Sequence, residues 1–476
     1  MAVIYQDDIE VPGFAGINQS GDGYNMSMRY AVEAYNADVT GGALAPMRDG
    51  KSIGHEVTAP IETLALLHRR YHTAPDEQDL LVAVAGGLVY TKLLDHDDPW
   101  VMRYAGLTNS RCDWVTYEVN ATDSDAPTDV LLLTNADDGM IMLFGDSLRC
   151  KPVPTPEKFG SIARYNERIW GSGIKDQPDK LMYSAPYDPT DWAQNDDIPE
   201  DGAGDILQPS WDGDNFIALK TFGSYLLAFK KNAVWKVYGT HPGEFVMKEQ
   251  YGLGAVVGGS IAVTSAYALM LGWTGIVRYD GSSTEPFQQQ AIRDVMARLN
   301  FSARAQCAGV VDGKRYLLAI PLDDSEINNA VIEYNITDRT WSVRTGVYVK
   351  AWLAFDDRLL YTDARTPSTV KEFDKGPALP LVWVSAFQDN QQKSAVKSNM
   401  TLYFTVTGEK AYVPLTFRIR TEKKVKEKFV LAESGKAKRI NVNASGRYFR
   451  LEIASHADFG WRLNSGVQIH FELDPD

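Results

Sequence analysis

Short apolar runs separated by tight polar turns dominate the chain from Asp79 to Gly376. In Leu80–Leu94, two such runs flank Gly86-Gly87, a pair that suits a hairpin turn with positive φ. Six further stretches repeat this layout, with predicted turns at Asp138-Gly139, Asn166-Glu167, Gly223-Ser224, Lys231-Asn232, Ser265, Thr274-Gly275, Asp312-Gly313 and Asp356-Asp357. About seven units therefore follow one another, roughly 30 to 50 residues apart, which predicts an all-β fold with a β-propeller of six or seven blades.

The pattern differs at both ends of the chain. After the proline-bounded linker 377–380, apolar and polar residues alternate with a period of two, which predicts an antiparallel β-sandwich-like platform domain. The first 60 residues show few regular periods and many Gly, Asn and Asp, and we expect an arm that is ordered mainly against a neighbour. The predicted domains are an N-terminal arm (1–60), a β-propeller (61–376) and a C-terminal platform (377–476).

The stretch Ala330–Arg344, AVIEYNITDRTWSVR, allows two interpretations. It fits the outer hairpin of a blade, with Trp341 packed between that blade and its neighbour. It also resembles the Asp-box turn of sialidase-like propellers, S-x-D-x-G-x-x-W, although the glycine is missing. An arginine cluster with a tyrosine nucleophile and an acid partner does not stand out in the sequence, so we favour the structural role.

Two short stretches show helical spacing instead. In Gln288–Asn300, four apolar residues recur with the period of a helix, which predicts a surface helix between two blades. LALLHRRYH allows a short helix that would place His68 and His72 four residues apart. Because HExxH and a third ligand are lacking, we expect exposed loop histidines there and not a metal site.

The overall charge limits the possible partners. The 476 residues carry a formal net charge of −14 at 44% hydrophobic content. Binding DNA phosphates needs an excess of Lys and Arg, so a DNA-wrapping protein is disfavoured. A surface along which DNA slides agrees with this charge, and so does ordinary solubility. Since no run of about 18 apolar residues occurs and the N-terminus has acids where a secretion signal needs bases, we expect no membrane span and folding in a cytoplasm.

Two local charge clusters are candidate functional sites. Asp188–Asp214 carries nine acids and no Lys or Arg. It could be a solvated loop, a calcium loop without EF-hand spacing, or a channel-facing loop that repels phosphate, with candidate residues Asp196, Asp197, Glu200, Asp201 and Asp205. Arg418–Arg439 carries nine bases and three acids. Its lysines either protect a sheet edge or form a subunit-docking cluster, with candidate residues Lys423, Lys424, Lys426 and Lys428.

Motifs for chemistry are weak throughout the chain. Cys112, Cys150 and Cys307 lie far apart, which predicts reduced, buried thiols and neither a disulfide framework nor a zinc site. No residue stands out as catalytic, cofactor-binding or metal-binding. We therefore predict a protein that is not an enzyme and that binds no cofactor.

Five phrases are distinctive as a set: RIWGSG, PDKLMYSAPYDPTDW, GDILQPSWDGDNFIALKTFGSYLLAFKKNAVWKVYG, PGEFVMKEQYGLGA and NNAVIEYNITDRTWSVR. Together they resemble a family of tailed-bacteriophage virion proteins, the tail nozzle or packaged-DNA stabilisation proteins of short-tailed phages. The resemblance covers Gly160–Gly376 and extends weakly to GGALAPMRDG and GRYFRLEI. It includes no short diagnostic motif, so it assigns no functional residue by name.

The resemblance implies a β-propeller subunit with a β-rich platform, assembled as a hexameric tube below the portal and adaptor rings. Such a head-to-tail connector retains the genome and conducts it during DNA ejection, so genomic DNA passes through the lumen without specific binding. We therefore expect a structural protein of the virion tail, assembled in the host cytoplasm.

Two other functions remain open on the sequence. A host-receptor or carbohydrate-binding tail propeller, an adhesin, would use the 23 Tyr and 11 Trp for stacking on sugars and would expose several aromatics on one face. A cellular scaffold propeller would be monomeric and would lack the arm.

Overall fold

The computed structural model describes residues 5–24, 26–121, 124–208, 214–250, 252–287 and 289–474. Within these ranges the fold is all-β, and the single α-helix, Arg293–Met296, has four residues. Short 3-10 turns occur at Thr40–Gly42, Pro75–Glu77, Pro199–Asp201, Pro242–Glu244, Gly258–Ser260, Gln289–Ile292 and Phe301–Gln306. The N-terminal segment contributes five strands: β1 (Tyr5–Val11), β2 (Ala31–Tyr35), β3 (Ala37–Asp38), β4 (Ala45–Pro46) and β5 (Lys51–Ser52).

Seven four-stranded antiparallel sheets follow in the described residues, and we number them 1 to 7. Sheets 1 to 3 are β6 (Ile61–His68), β7 (Asp79–Ala85), β8 (Leu88–Leu93) and β9 (Val101–Ala105); β10 (Asp113–Asn120), β11 (Pro127–Asn135), β12 (Gly139–Phe144) and β13 (Cys150–Val153); and β14 (Ser161–Tyr165), β15 (Arg168–Ser172), β16 (Lys180–Tyr183) and β17 (Gly204–Leu207). Sheets 4 and 5 are β18 (Ala218–Phe222), β19 (Tyr225–Phe229), β20 (Val234–Tyr238) and β21 (Val246–Gln250); and β22 (Ala262–Val263), β23 (Ala268–Gly272), β24 (Gly275–Tyr279) and β25 (Thr284–Pro286). Sheet 6 is β26 (Ala308–Val311), β27 (Arg315–Ile320), β28 (Ala330–Asn335) and β29 (Thr340–Thr345); sheet 7 is β30 (Val349–Phe355), β31 (Arg358–Asp363), β32 (Val370–Glu372) and the N-terminal β5.

The sheets are arranged around a centre, as the blades of a β-propeller are. The first strand of each sheet contacts the first strand of the next, and β30 of sheet 7 contacts β6 of sheet 1. Apolar clusters fill the gaps between neighbouring sheets; Leu67 and Leu131, for example, belong to one cluster between sheets 1 and 2. Because a single sheet cannot bury both of its faces alone, this stacking supplies the core.

The predicted hairpin turns agree with the strand bounds. Gly86 and Gly87 have φ of 58° and 78° in the turn between β7 and β8, and Asn166 and Glu167 have φ of 48° and 54° between β14 and β15. Gly223 and Asp356 likewise have positive φ in their turns. The β propensity of the runs and the turn residues between them therefore located these hairpins correctly.

The N-terminal segment closes the ring. Lys51 and Ser52 of β5 pair with Glu372 and Lys371 of β32. Three strands of sheet 7 therefore come from the last part of the propeller sequence, and the fourth comes from the N-terminal segment that precedes sheet 1. Farther along, the Ile61 N–H donates to the Pro367 carbonyl over 2.7 Å, just as sheet 1 begins. We expected this segment to form an arm ordered mainly against a neighbour. In the described residues, β1, β2 and β5 and the stretch around Ile17 instead pair with strands of the same chain.

Two platform sheets follow the ring. Their strands are β33 (Leu381–Ser385), β34 (Val396–Gly408), β35 (Tyr412–Thr421), β36 (Val425–Glu433), β37 (Ala437–Asn441), β38 (Phe449–Ser455) and β39 (Trp461–Asp474). Platform sheet A has the order β1-β39-β34-β37, and platform sheet B has the order β2-β33-β38-β35-β36. Their inner faces meet in one apolar core, where the Phe404 and Phe417 ring centroids are 4.6 Å apart.

Ala330–Arg344 forms β28 and β29, the outer hairpin of sheet 6, as predicted. Trp341 is buried and lies 6.0 Å from Phe287, which follows sheet 5, so it packs between neighbouring sheets. The outer edge of β29 is also covered, because the Ile17 N–H donates to the Trp341 carbonyl over 2.8 Å. The N-terminal segment thus joins sheet 6 to platform sheet B, where Ile17 forms a parallel bridge with Ala31.

Both helical expectations need correction. Gln288 lies outside the described residues, and the rest of the predicted helix is only a 3-10 turn and a single α-turn ending at Met296. Its spacing reflects the burial of Ile292 and Val295 under the N-terminal segment, whose Gln19 side chain caps the Asp294 N–H over 2.9 Å. LALLHRRYH is mostly strand β6, because alternate apolar residues there face the gaps on either side of sheet 1.

Gly16 should be essential where the N-terminal segment crosses β29. A Cβ at this position would lie 2.2 Å from the Trp341 carbonyl oxygen and 2.9 Å from its amide nitrogen. We expect Gly16→Ala to lower the free energy of unfolding by about 1–3 kcal/mol, the cost of overpacking a filled site, as measured by urea denaturation.

Gly21→Ala is the matched control in the same segment. Its Cβ would meet only the flexible Met26 side chain, at 3.0 Å or more, so the loss should be much smaller. Equal losses in the two variants would contradict the assignment of a close backbone crossing.

Candidate functional site

The acidic loop connects the third and fourth strands of sheet 3. It runs from Ser184 to Ala203, between β16 and β17, and therefore lies toward the perimeter of the ring and not among the first strands at its centre. Four of the five candidate acids, Asp196, Asp197, Glu200 and Asp201, lie in this loop, whereas Asp205 lies on β17; all five are exposed. Only Asp205 has an ion-pair partner within the described ranges, Lys180 at 3.9 Å. Whether this loop faces the lumen of an assembled ring stays a prediction.

Buried Arg168 of β15 fixes the base of the acidic loop. Its Nη1 donates to the Ser184 carbonyl over 2.7 Å and to the Gly202 carbonyl over 2.6 Å, and its Nη2 donates to the Glu200 carbonyl. These carbonyls satisfy the buried guanidinium, although burial still lowers the pKa of Arg168. The loop therefore holds its carboxylates outward on an anchored backbone.

The basic cluster lies at the open edge of platform sheet B. Lys423 and Lys424 form the turn after β35, and Lys426 and Lys428 lie on the edge strand β36. All four are exposed, and none has an ion-pair partner in the described part of the chain. Lysines on an edge strand hinder unwanted strand pairing, so edge protection remains sufficient to explain them.

An exposed apolar strip adjoins these lysines. On the outer face of β36, Phe429 and Leu431 are 59% and 54% exposed, and Tyr412 of the neighbouring strand β35 is 56% exposed. Leu431 pairs with Pro414, which extends the strip across both strands. Contiguous exposed apolar side chains bordered by charge are typical of an interaction surface.

A buried ion network joins sheet 6 to the N-terminal segment and to the end of sheet 7. Arg344 donates to Glu333 over 2.6 Å and to Asp374 over 2.5 Å, and also to the Arg48 carbonyl. Arg315 donates to the same two carboxylates over 3.2 and 2.9 Å. Both arginines lie near the Phe373 ring, with the Arg344 guanidinium carbon 4.1 Å from its centroid.

Charge pairing dominates the protonation states in this network. Burial acts to raise the pKa of Asp374, but Arg344 and Arg315 lower it below its ordinary value. Burial acts to lower the pKa of Arg344, but Asp374 and Glu333 raise it. Asp374 and Arg344 are therefore both charged at neutral pH, as the members of a buried pair must be if neither is to leave an uncompensated charge.

The network forms part of the wall of a cavity of about 880 Å³ between sheets 6 and 7, the N-terminal segment and the platform. Arg48 and Glu409 pair across its mouth, and Trp461 lines it from the platform side. The polar wall and the position between ring and platform suit a hydrated structural junction. We find no nucleophile hydrogen-bonded to a general base among its described residues.

Metal and thiol chemistry have no support in the described residues. No three His, Cys, Asp or Glu side chains are grouped so as to hold a metal ion there. Burial raises the pKa of Cys112 to about 11 and those of Cys150 and Cys307 to about 12, so the thiols are protonated and poorly nucleophilic. Cys307 is buried as predicted, whereas Cys112 and Cys150 are only partly buried, and all three are free. No helix in the described ranges is long and apolar enough to cross a membrane.

Reasoning from the sequence missed the ion network. Its only local signal is a charged residue inside an apolar strand, Glu333 in AVIEYN and Arg344 in TWSVRT. These two lie on adjacent strands near one another, but Arg315 and Asp374 join them only through the fold. A charge inside a buried run is thus the signal that could have located the site.

No protein-family model and no curated protein match the chain. Solved structures with a similar arrangement include the WD40 domain of Neurospora crassa Pan2, at 10% identity and a TM-score of 0.39, covering 69% of this chain and 96% of that one. BBS1N in complex with ARL6DN reaches 10% identity and a TM-score of 0.42, over 68% and 97% of the two chains. BamB from Moraxella catarrhalis reaches 9% and 0.38, over 78% and 99%. At these values the similarities carry no information on function.

Asp374→Asn tests whether the network stabilises the junction. Asp374 keeps 35% of its side chain exposed toward the cavity, so we expect a loss of about 2 kcal/mol at pH 7, less than for a fully buried pair. The folded-state pKa lies below the unfolded value of about 3.9, so the stabilisation is complete above that value and is lost as pH falls through the folded pKa. The difference in unfolding free energy between wild type and variant should therefore shrink below about pH 4.

Asp323→Asn is the control, because Asp323 forms an exposed pair with Arg298 at 2.8 Å. Its removal should cost measurably less at pH 7. An Asp374→Asn variant as stable as the control, or a difference that grows toward low pH, would contradict the stabilising role.

Proposed function

We propose that this chain is a non-enzymatic structural protein of a bacteriophage tail, a hexameric ring or nozzle that retains and conducts genomic DNA below the portal and adaptor. Its ring is a seven-bladed β-propeller, and its C-terminal domain is a β-sandwich platform. The observation that carries the proposal is the exposed apolar strip on β35 and β36, bordered by four lysines that have no ion-pair partner among the described residues. A surface of this kind is expected of a subunit that works inside an assembly. The five sequence phrases that resemble those of tail nozzle proteins are the reason for proposing a phage tail as the assembly.

The way the ring is closed supports a role in which the subunit resists mechanical force. Strand β5 closes sheet 7, the Ile17–Trp341 bond joins sheet 6 to the platform, and β1 and β2 belong to the platform sheets. The N-terminal segment therefore connects the platform to sheets 6 and 7 through backbone hydrogen bonds as well as through the chain itself. A subunit that resists the pressure of packaged DNA needs this kind of connection.

The net charge of −14 supports a lumen that does not hold DNA. Phosphates bind where Lys and Arg neutralise them, and an acidic wall gives no such contact. The acids of the 184–203 loop, which form no ion pair within the part of the chain that the structure describes, are the candidate wall. DNA then moves past the protein without a specific site.

A second candidate, a carbohydrate-binding adhesin, has one specific observation in its favour. Tyr24 is half exposed and stacks on Phe387 at 5.2 Å, with Tyr448 edge-on at 5.8 Å. Beside them is a recess of about 510 Å³ whose wall includes Lys423 and Arg447. Aromatic faces beside charged groups are what a sugar-binding site uses.

The mass of the protein in solution separates the two functions. We expect light scattering to show a ring alone, or recruitment of a hexamer onto the purified portal–adaptor complex. A monomer that ignores this complex but binds a host glycan through Tyr24 would replace the nozzle proposal with the adhesin. A monomer that binds neither would leave both without support.

Neutralising the acidic loop tests the lumen. The variant Asp196→Asn, Asp197→Asn, Glu200→Gln and Asp201→Asn should fold, because these side chains are exposed and Arg168 holds only the loop backbone. If the loop lines the path of DNA, the assembled variant should bind double-stranded DNA at least about tenfold more tightly than wild type at low salt, and high salt should remove the difference.

The control neutralises four exposed acids on other loops: Asp76, Asp324, Glu326 and Asp356. It changes the net charge equally and should leave DNA binding nearly unchanged. The same gain in both variants would mean that total charge, and not the position of the loop, governs DNA binding.

A further inference from the structure

Platform sheet A has two open edges of opposite charge. At one end β1, YQDDIEV, carries Asp7, Asp8 and Glu10 and no base. At the other end β37, AKRIN, carries Lys438 and Arg439 and no acid. Within the described residues no strand pairs with the outer side of either.

Platform sheet B lacks this property. Its edge strand β36 is open, but the segment around Ile17 lies along the β2 edge, where it bridges to Ala31 and bonds to Trp341 of the ring. Only sheet A can therefore be extended at both ends. The lysines of β36 lie on the same side of the platform as β37 and add to its positive field.

The residue rows across sheet A run from one charged edge to the other. On the outer face, Glu10 pairs with Gln468, Gln468 with Tyr403, and Tyr403 with Arg439. On the inner face, Ile9, Ile469, Leu402 and Ile440 form the adjacent row. The outer row thus begins with an acid and ends with a base, and the inner row begins and ends with isoleucine.

Strand direction permits continuation between copies in the same orientation. Every neighbouring pair in the order β1-β39-β34-β37 is antiparallel, so β1 and β37 run in opposite directions. A second copy in the same orientation therefore presents its β1 antiparallel to β37 of the first. If the rows continue, Arg439 stands opposite Glu10 and Ile440 opposite Ile9.

Symmetric pairing is disfavoured by the same charges. A two-fold contact between two β1 edges would bring the carboxylates of Asp8 and Glu10 close to those of the other copy, and one between two β37 edges would bring Lys438 and Arg439 close to the same bases. Like charges directly opposite in a sheet are destabilising. The head-to-tail contact is the one in which the charges attract, and such heterologous contacts form a ring when the rotation between successive copies closes.

We infer that a second copy of this chain docks at this surface, with its β1 adding to β37 so that platform sheet A continues from subunit to subunit. The inference rests on the proposed ring assembly and names the contact that builds it. In this arrangement the acidic partner of the basic side is β1 and not the 184–203 loop.

Charge reversal and cysteine pairing test this contact in the full-length chain. We expect Glu10→Arg and Arg439→Glu each to weaken association about tenfold in sedimentation velocity at low salt, and the double exchange to restore it. A chain with both Glu10→Cys and Arg439→Cys should form a ladder of covalent oligomers on mild oxidation. Each single-cysteine variant, and Glu10→Cys combined with Lys424→Cys, should not form the ladder. Because these variants keep the three native cysteines, they also control for disulfides formed by those residues.

The outcomes separate this contact from the proposed function. If wild type assembles on the portal–adaptor complex while the reversals leave its mass unchanged and no ladder forms, the edge contact is wrong and the tail function stands. If the ladder forms but the complex recruits nothing, the contact stands and the tail function fails. If wild type stays monomeric at its highest soluble concentration and the chain with Glu10→Cys and Arg439→Cys gives no ladder, the contact is overturned.

Discussion

Open strand edges are the constraint on which this structure depends. A four-stranded sheet leaves a row of unpaired N–H and C=O groups at its outer strand, and seven such sheets would expose many of them. At two of these edges the N-terminal segment of the same chain pairs with the exposed strand. Strand β5 completes sheet 7 and so closes the ring, and the segment around Ile17 covers β29 while joining it to the platform. The closure of the ring and its junction with the platform thus follow from where the N-terminal backbone forms its hydrogen bonds.

The same segment creates the environment of the buried charges. Arg344 has only 1% of its surface exposed, and one of its partners is the carbonyl of Arg48, three residues before β5. The remaining partners come from sheet 6 and from Asp374 at the end of sheet 7. Ring closure therefore brings together the groups that satisfy the hydrogen-bonding capacity of Arg344. An apolar residue at position 344 would pack but would recognise neither the carbonyl nor the two carboxylates.

The sequence predicts what depends on neighbours in the chain and misses what depends on distant pairing. Gly86-Gly87 and Asn166-Glu167 identify hairpins because the residue types that tolerate positive φ are visible in the local sequence. Trp341 is likewise recognisable as a packing residue at a strand end. Lys51 and Ser52 form a strand of two residues, too short to show any period, so their pairing with β32 could not be read from the pattern. The helical spacing at 288–300 is misleading because burial under another segment imitates the apolar stripe of a helix. The acidic and basic clusters are visible as composition, but the direction each faces and the complementary edge at β1 require the sheet order.

The net charge of −14 also constrains how copies can associate. Two such chains repel each other over a Debye length of about 10 Å at moderate salt, so a contact forms only where local charges reverse that sign. The basic side at β36 and β37 is the place where the described surface does so, and the nearest acidic strand edge in the same sheet is β1. In the proposed assembly, repulsion elsewhere would oppose side-to-side contacts and like-edge contacts. A strongly acidic chain with one basic side would then associate in the head-to-tail geometry that we propose. The angle between successive platform sheets, and not the charges, would then set how many copies close a ring.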